Sequence, residues 1–208
     1  MVLLLTTTDS VFPLVGGRVC EMAITTKIGD KGKTTILFGH LIDKTNPLLD
    51  VTGTIDELNA SIGLARAHVI APNLKGELLN IQQKLFIIGA EVATLKEDYH
   101  KLKKTITEEE LKEIELEIEN LEKYNDINNW FIPGESISSA QLEQARTICR
   151  RLERELLKIN HHNETLKVYL NRLSDYLWLQ AQKEEYYLRG VERKTTEHQP
   201  NNEQQTTI

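Results

Sequence analysis

The segment Ala145-Arg146-Thr147-Ile148-Cys149-Arg150-Arg151-Leu152-Glu153-Arg154 carries four arginines in ten residues. Arg146, Arg150 and Arg154 recur at every fourth position, so on a helix they form one slowly drifting stripe, with alanine, isoleucine, cysteine and leucine at core spacing beside them. Arg151 falls about 100° round from Arg150, at roughly 3.6 residues per turn. Guanidinium groups hold a permanent charge and a fork of donors that matches phosphate oxygens, so this face suits a polyanion. The same spacing also suits a solvated, salt-bridged face with Glu143, Glu153 and Glu155 as partners. The segment by itself leaves both readings open.

A second stretch, Thr26-Lys27-Ile28-Gly29-Asp30-Lys31-Gly32-Lys33-Thr34-Thr35, holds two glycines, three lysines and three threonines. Glycines let backbone N–H groups approach phosphate, lysines add charge, and threonine hydroxyls bond phosphate or a bound Mg²⁺. That composition favours a phosphate-binding loop over a plain structural turn. It is not a P-loop, which needs four residues between its glycines, whereas Gly29 and Gly32 have two between them.

These residues must be positioned by something. With 208 residues, 27% charged and 40% hydrophobic, the chain reads as one soluble domain with a real core. A net charge of -6 argues against general nucleic-acid or anionic-membrane binding, so a polyanion would have to be met by a local pocket. No apolar run approaches the roughly 20 residues of a membrane span, and residues 2–5 lack the basic flank of a secretory signal. The expected location is the cytoplasm. Cys20 and Cys149 suggest neither a disulfide framework nor a zinc site, and Cys149 reads as a small apolar core residue. No metal-ligand cluster is expected, and His161 and His162 read as turn residues.

From Asp50 onward the periodicity is helical. It predicts helices over about 54–69, 75–95, 107–121, 138–159 and 164–188, with Thr107 capping the third ahead of Glu108-Glu109-Glu110. Breaks are expected at Pro72, at Asn125 to Asn129, at Pro133-Gly134 and at Asn160 to Asn163. The fold class is therefore all-α, a five-helix up-and-down bundle of ferritin-like arrangement behind a glycine-rich loop. Residues 1–22 are expected to be a dispensable extension, 23–190 the functional domain, and 191–208 a disordered polar tail.

Four separated motifs agree with one family. The front loop resembles T-x-x-G-D-x-G-x-T, and Gly53-Thr54-Ile55-Asp56-Glu57-Leu58-Asn59 resembles G-T-x-D-E-L-N. The arginine helix is similar to A-R-x-x-C-R-R-x-E-R, and residues 169–177 to Y-L-N-R-L-S-D-Y-L. Over about Ala23 to Leu188 the chain resembles the PduO-type ATP:corrinoid adenosyltransferases.

That resemblance implies transfer of the 5′-deoxyadenosyl group of ATP to cobalt of cob(I)alamin with release of triphosphate, by a homotrimer holding MgATP between subunits. It places Thr26, Lys27, Ile28, Gly29, Thr34 and Thr35 against ATP, with Lys44 on phosphate. It puts Arg150, Arg151, Glu153, Arg154 and Asn171 around the nucleotide, and pairs Asp56 with Arg146 across the subunit interface. Lys31, Lys44, Arg150, Arg154 and Mg²⁺ would stabilise the leaving triphosphate.

One departure stands out. The family's Phe-x-x-Pro-Gly-Gly is here Trp130-Phe131-Ile132-Pro133-Gly134-Glu135, so Trp130 takes the aromatic place at the corrin with Phe131 beside it, and Glu135 replaces a glycine. A reductase and an adenosylcobalamin-dependent enzyme are possible partners. A carrier of adenosylcobalamin and an ATP-hydrolysing enzyme are the competing readings.

Overall fold

The computed structural model describes residues 28–123 and 131–197. Five α-helices follow a short β-hairpin: α1 Pro47–His68, α2 Leu74–Val92, α3 Glu108–Glu122, α4 Ile137–Lys158 and α5 Glu164–Glu197. The hairpin pairs β1 Lys33–Thr35 with β2 Leu41–Asp43 antiparallel, Thr34 opposite Ile42. Its strands are three residues each, too short for an alternating pattern to announce them in the sequence.

Side-chain pairs fix the helix directions. Thr54 meets Glu155 and Glu57 meets Arg151, so α1 and α4 run antiparallel. Thr165 meets Glu108 and Arg172 meets Glu115, so α3 and α5 run parallel. Glu77 meets Gln180 while Lys84 lies over Tyr169, so α2 opposes α5. The up-and-down order expected from the short turns is what these pairs describe. α4 packs on both α1 and α5, α1 also on α2, and α3 on α5.

The helix ends depart from expectation where local chemistry overrides periodicity. α1 begins at Pro47, a full two turns before the predicted Thr54, because the Asn46 side chain accepts from Leu48 N at 2.9 Å and proline suits the first turn. Asp56 is therefore well inside α1 rather than in its first turn. α2 stops at Val92, and a 3₁₀ turn over Lys96–Lys101 follows where the helix was expected to reach Leu95. Thr107 caps α3 as predicted, and Glu110 closes a capping box with it. Helix α5 runs through Glu197, nine residues beyond the predicted end at Leu188. Residues 1–22 with Cys20, the break at Asn125 to Asn129, and residues 198–208 lie outside the described residues.

The core is one cluster drawn from all five helices, including Leu58, Ile62, Leu78, Leu85, Ile114, Ile118, Leu152 and Leu170. Each fully buried leucine contributes roughly 2 kcal/mol. Polar groups inside it are tied to backbone that has no other partner. Glu91 is fully buried, accepting from Ile106 N at 2.9 Å, Tyr99 Oη at 2.5 Å and Asn163 Nδ2 at 2.5 Å. Glu184 accepts from Ile70 N, Ala71 N and Ser138 Oγ, closing the other end of the bundle. Burial and the neighbouring Glu91 carboxylate hold the Tyr99 phenol well above its ordinary value, so it remains a donor.

Glu91→Ala would strand three donors at once. Urea unfolding should show a loss on the order of 3 kcal/mol, against a change below about 0.5 kcal/mol for a substitution on the exposed face of α3.

Candidate functional site

The arginine segment is helical throughout and sits in α4. Ala145, Ile148, Cys149, Leu152 and Leu156 turn inward against α1 and α5. At about 100° per residue the opposite face must then carry Arg150 and Arg154, and both are exposed. Among the described residues neither has a hydrogen-bond or ion-pair partner. The other two arginines are engaged. Arg146 donates to Glu143 at 2.9 Å on its own helix, and Arg151 forms an ion pair with Glu57 of α1. Burial pushes the Glu143 carboxyl up while Arg146 opposes it. The salt-bridged reading is met at Arg146 and Arg151, while Arg150 and Arg154 are left facing outward.

The flanks of that face are braced from neighbouring helices. Glu155 accepts from Thr54 Oγ1 at 2.6 Å on the α1 side. Glu153 accepts from Asn171 Nδ2 at 3.1 Å on the α5 side, so this expected pair of site residues is brought together. A cleft of about 410 Å³ opens beside them between the start of α1 and the end of α4, where Gly53, Thr54, Glu57, Arg151, Glu155 and Lys158 meet.

The α1–α4 pairings set Asp56 level with Leu152, about six residues and so roughly 9 Å along the axis from Arg146.

The front loop is built around backbone rather than side chains. A 3₁₀ turn over Ile28–Lys31 leads through Gly32, whose φ of +75° only glycine adopts cheaply, into β1. Lys44 N donates to Gly32 O at 2.8 Å, and a side chain at Gly29 would meet Lys44 Nζ at 3.0 Å. Gly29 is therefore the space into which the Lys44 ammonium folds. Lys31, Lys44 and Thr35 are exposed and Thr34 half-buried. Among the described residues no hydrogen bond or ion pair joins residues 28–35 to α4. Thr26, Lys27 and Trp130 lie outside the described residues, whereas Phe131 is half-buried and packs on the core. Glu135 adopts no positive φ, so the glycine it replaces is not required by this turn; Gly134 carries the φ of +124° instead.

Sequence reasoning missed the clamp that holds the hairpin. His40 Nε2 lies 2.5 Å from Asp98 Oδ2, Lys101 Nζ lies 2.6 Å from Asp98 Oδ1, and Lys101 also sits 5.3 Å from the Phe38 ring centre. Lys101 first, then His40, holds the Asp98 carboxyl below the ordinary carboxylate range. Nothing in the spacing of residues 38–40 and 98–101 announces a contact so distant in sequence. Cys149 is fully buried and burial pushes its thiol far up, which makes it an inert core residue as expected. Among the described residues no cluster of His, Cys, Asp or Glu is arranged to hold a metal.

Residues 24–184 match the family model described as cobalamin adenosyltransferase. The chain belongs to this family. It is 37% identical over 166 residues to a corrinoid adenosyltransferase of Citrobacter freundii, covering 78% of this chain and 94% of that one. It is 34% identical over 169 residues to the corrinoid adenosyltransferase PduO of the same organism, covering 79% of this chain but only half of that longer protein. Its fold is similar to that of a variant PduO-type ATP:corrinoid adenosyltransferase from Lactobacillus reuteri complexed with cobalamin and ATP. The TM-score is 0.73 at 30% identity, over 80% of this chain and 96% of that one. As in that structure, the cobalamin adenosyltransferase fold here is mostly helical.

A depressed carboxyl contributes stability that is present above its unfolded value and lost as pH falls through its folded value. Hydrogen exchange should accordingly show residues 33–44 opening as the pH falls through the lowered value of Asp98, ahead of the helices. Asp98→Asn should produce the same local opening at neutral pH. Unchanged exchange in the hairpin of that variant would mean the clamp does not hold it.

Proposed function

We propose that this chain is an ATP:corrinoid adenosyltransferase, moving the 5′-deoxyadenosyl group of ATP to Co(I) of cob(I)alamin with release of triphosphate. The observation that carries this reading is the outward pair Arg150 and Arg154, exposed and without a partner among the described residues on a helix whose other arginines are satisfied, in a chain of this family.

The chemistry asks little covalent help from the protein. The cobalt electron pair of Co(I) attacks C5′ of ATP, the Co–C5′ bond forms, and the C5′–O bond breaks with its pair leaving on triphosphate. Charge therefore grows on the leaving oxygens. Arg150, Arg154, Lys31 and Lys44 are the exposed cations assigned to that charge. Thr26, Lys27, Ile28, Gly29, Thr34 and Thr35 supply the loop side of the nucleotide site, and Arg151, Glu153 and Asn171 its helical side. Magnesium would arrive on the phosphates, since this ion keeps several waters and needs few protein ligands.

Among the described residues no hydrogen bond or ion pair joins the loop to the arginine helix, which supports a site completed by a neighbouring subunit in a homotrimer, with Asp56 and Arg146 pairing across the boundary. Trp130 is assigned to the corrin wall, with Phe131 beside it. An indole there would exclude water and favour the four-coordinate form that precedes Co(I). The domain is taken as residues 23–190, acting in the cytoplasm with a corrinoid reductase upstream and an adenosylcobalamin-dependent enzyme downstream.

Anaerobic incubation with MgATP and chemically reduced cob(I)alamin should yield a photolabile alkylcobalamin one-for-one with triphosphate. Corrinoid binding without either product would make the chain a carrier, and phosphate release independent of corrinoid would make it an ATPase. Arg150→Ala should lower kcat on the order of a hundredfold, because charge at the leaving oxygen is larger in the transition state than in bound ATP. An unchanged kcat would remove Arg150 from that role.

A further inference from the structure

Four side chains from three helices form one continuous hydrogen-bonded chain that ends beside the outward arginines. Arg172 Nε on α5 donates to Glu115 Oε1 on α3 at 3.1 Å, and Arg172 Nη1 donates to Asn171 Oδ1 at 2.8 Å. Asn171 Nδ2 then donates to Glu153 Oε1 on α4 at 3.1 Å. Direction matters here. A guanidinium has only donors, so it dictates that the oxygen of the Asn171 amide faces Arg172 and that the NH₂ faces Glu153. The reversed amide would set its oxygen against a carboxylate. Glu153 is thereby held as an acceptor, and its second oxygen has no hydrogen-bond partner among the described residues.

We infer that Glu115 and Arg172 are positioning residues for the nucleoside. Through Asn171 they aim the free Glu153 oxygen at the hydroxyl or amino donors of a nucleotide whose phosphates lie on Arg150 and Arg154. This rests on the nucleotide site proposed above. Neither residue touches the nucleotide; both act through Asn171.

Two physical points separate this from an ordinary surface ion pair. The Arg172 and Glu115 side chains are 37% and 39% exposed, so their attraction is screened and adds little to folding stability. Their loss should therefore appear in nucleotide binding more than in thermal stability. Secondly, the geometry is specific to arginine. Its rigid fork donates from Nε across to α3 while Nη1 reaches the adjacent amide, whereas a lysine keeps the charge but lacks the fork that makes both bonds at fixed angles.

The test compares Arg172→Lys, Glu115→Ala and their double variant with Arg150→Ala. The readouts are KM for ATP, kcat, KM for the corrinoid, and Tm. Arg172→Lys should raise KM for ATP about tenfold, equivalent to ~1.4 kcal/mol, and Glu115→Ala about threefold. In both, kcat at saturating ATP should change by less than about twofold, and KM for the corrinoid should not move. The double variant should be no worse than Arg172→Lys alone, because the two residues act through one chain. An Arg172→Lys enzyme with unaltered KM for ATP, beside an impaired Arg150→Ala, overturns the positioning role and leaves the nucleotide site standing. Effects that multiply in the double variant, or a fall in Tm with both KM values raised alike, also overturn it. If Arg150→Ala too leaves ATP use intact, the nucleotide site itself is wrong and the inference goes with it. Should Arg172→Lys fail to fold, Glu115→Ala decides by the same KM criterion.

Discussion

The inward stripe of α4 is the constraint on which the rest of the molecule depends. Once Ala145, Ile148, Cys149, Leu152 and Leu156 are committed to the core between α1 and α5, helical geometry leaves Arg150 and Arg154 no direction but outward. Residues on the two flanks are carried within reach of neighbouring helices, and the sequence supplies partners there. Glu57 takes Arg151, Thr54 donates to Glu155, and Asn171 donates to Glu153. The outward charge of Arg150 and Arg154 therefore follows from apolar packing rather than from any arrangement of the charges themselves. A change that rotated α4 by one residue would bury a guanidinium and expose leucine, which the core could not tolerate.

The hairpin solves a different problem. Three-residue strands cannot hold themselves in place, and the tip includes Phe38 at φ +61° and Gly39 at φ +87°. Its position comes from buried Ile36 and from Asp98, which gathers His40 from the hairpin and Lys101 from its own turn. That fixes the direction in which the chain leaves Gly32 and returns at Lys44, bringing a lysine ammonium over Gly29. The loop is thus set by contacts to the 3₁₀ turn that follows α2, and among the described residues no hydrogen bond or ion pair ties it to the arginine helix. Under the proposed trimer, this separation has a use: each chain presents a loop and an arginine face that only another chain can bring together.

How much was readable in advance depended on the range of the interaction involved. Helix number, the Thr107 cap and the inert Cys149 were legible because periodicity, capping chemistry and the apolar neighbours of that cysteine are local. The face of Arg150 and Arg154 could be drawn from spacing alone, yet which arginines were free could not, because the deciding carboxylate for Arg151 lies on α1. The early start of α1 was hidden because Asn46-Pro47 reads equally as a turn or as a cap and first turn. His40 with Asp98, and Glu115 with Arg172, were illegible for one reason: each joins residues 57 or 58 positions apart, with no local pattern to mark them. The motif around Asn171 named Arg172 but gave it no task; only the direction of its hydrogen bonds does.

The ionisable groups inside the bundle bear on what kind of catalyst this can be. Burial raises the Cys149 thiol and the Tyr169 and Tyr176 phenols far beyond the physiological range, so none of the three ionises to become a nucleophile or base. The outward cations Arg150 and Arg154 are groups that bind and stabilise charge. A face with every arginine free would hold triphosphate tightly before and after reaction alike, which lowers KM without helping kcat and slows release. Committing Arg151 to Glu57 on the α1 flank and holding Glu153 on the α5 flank through Asn171 would temper that field. Under the proposed nucleotide site, the carboxylates on this helix would limit the pull on the product to what Arg150, Arg154 and the loop lysines exert, and would add acceptors that a bare phosphate site would lack.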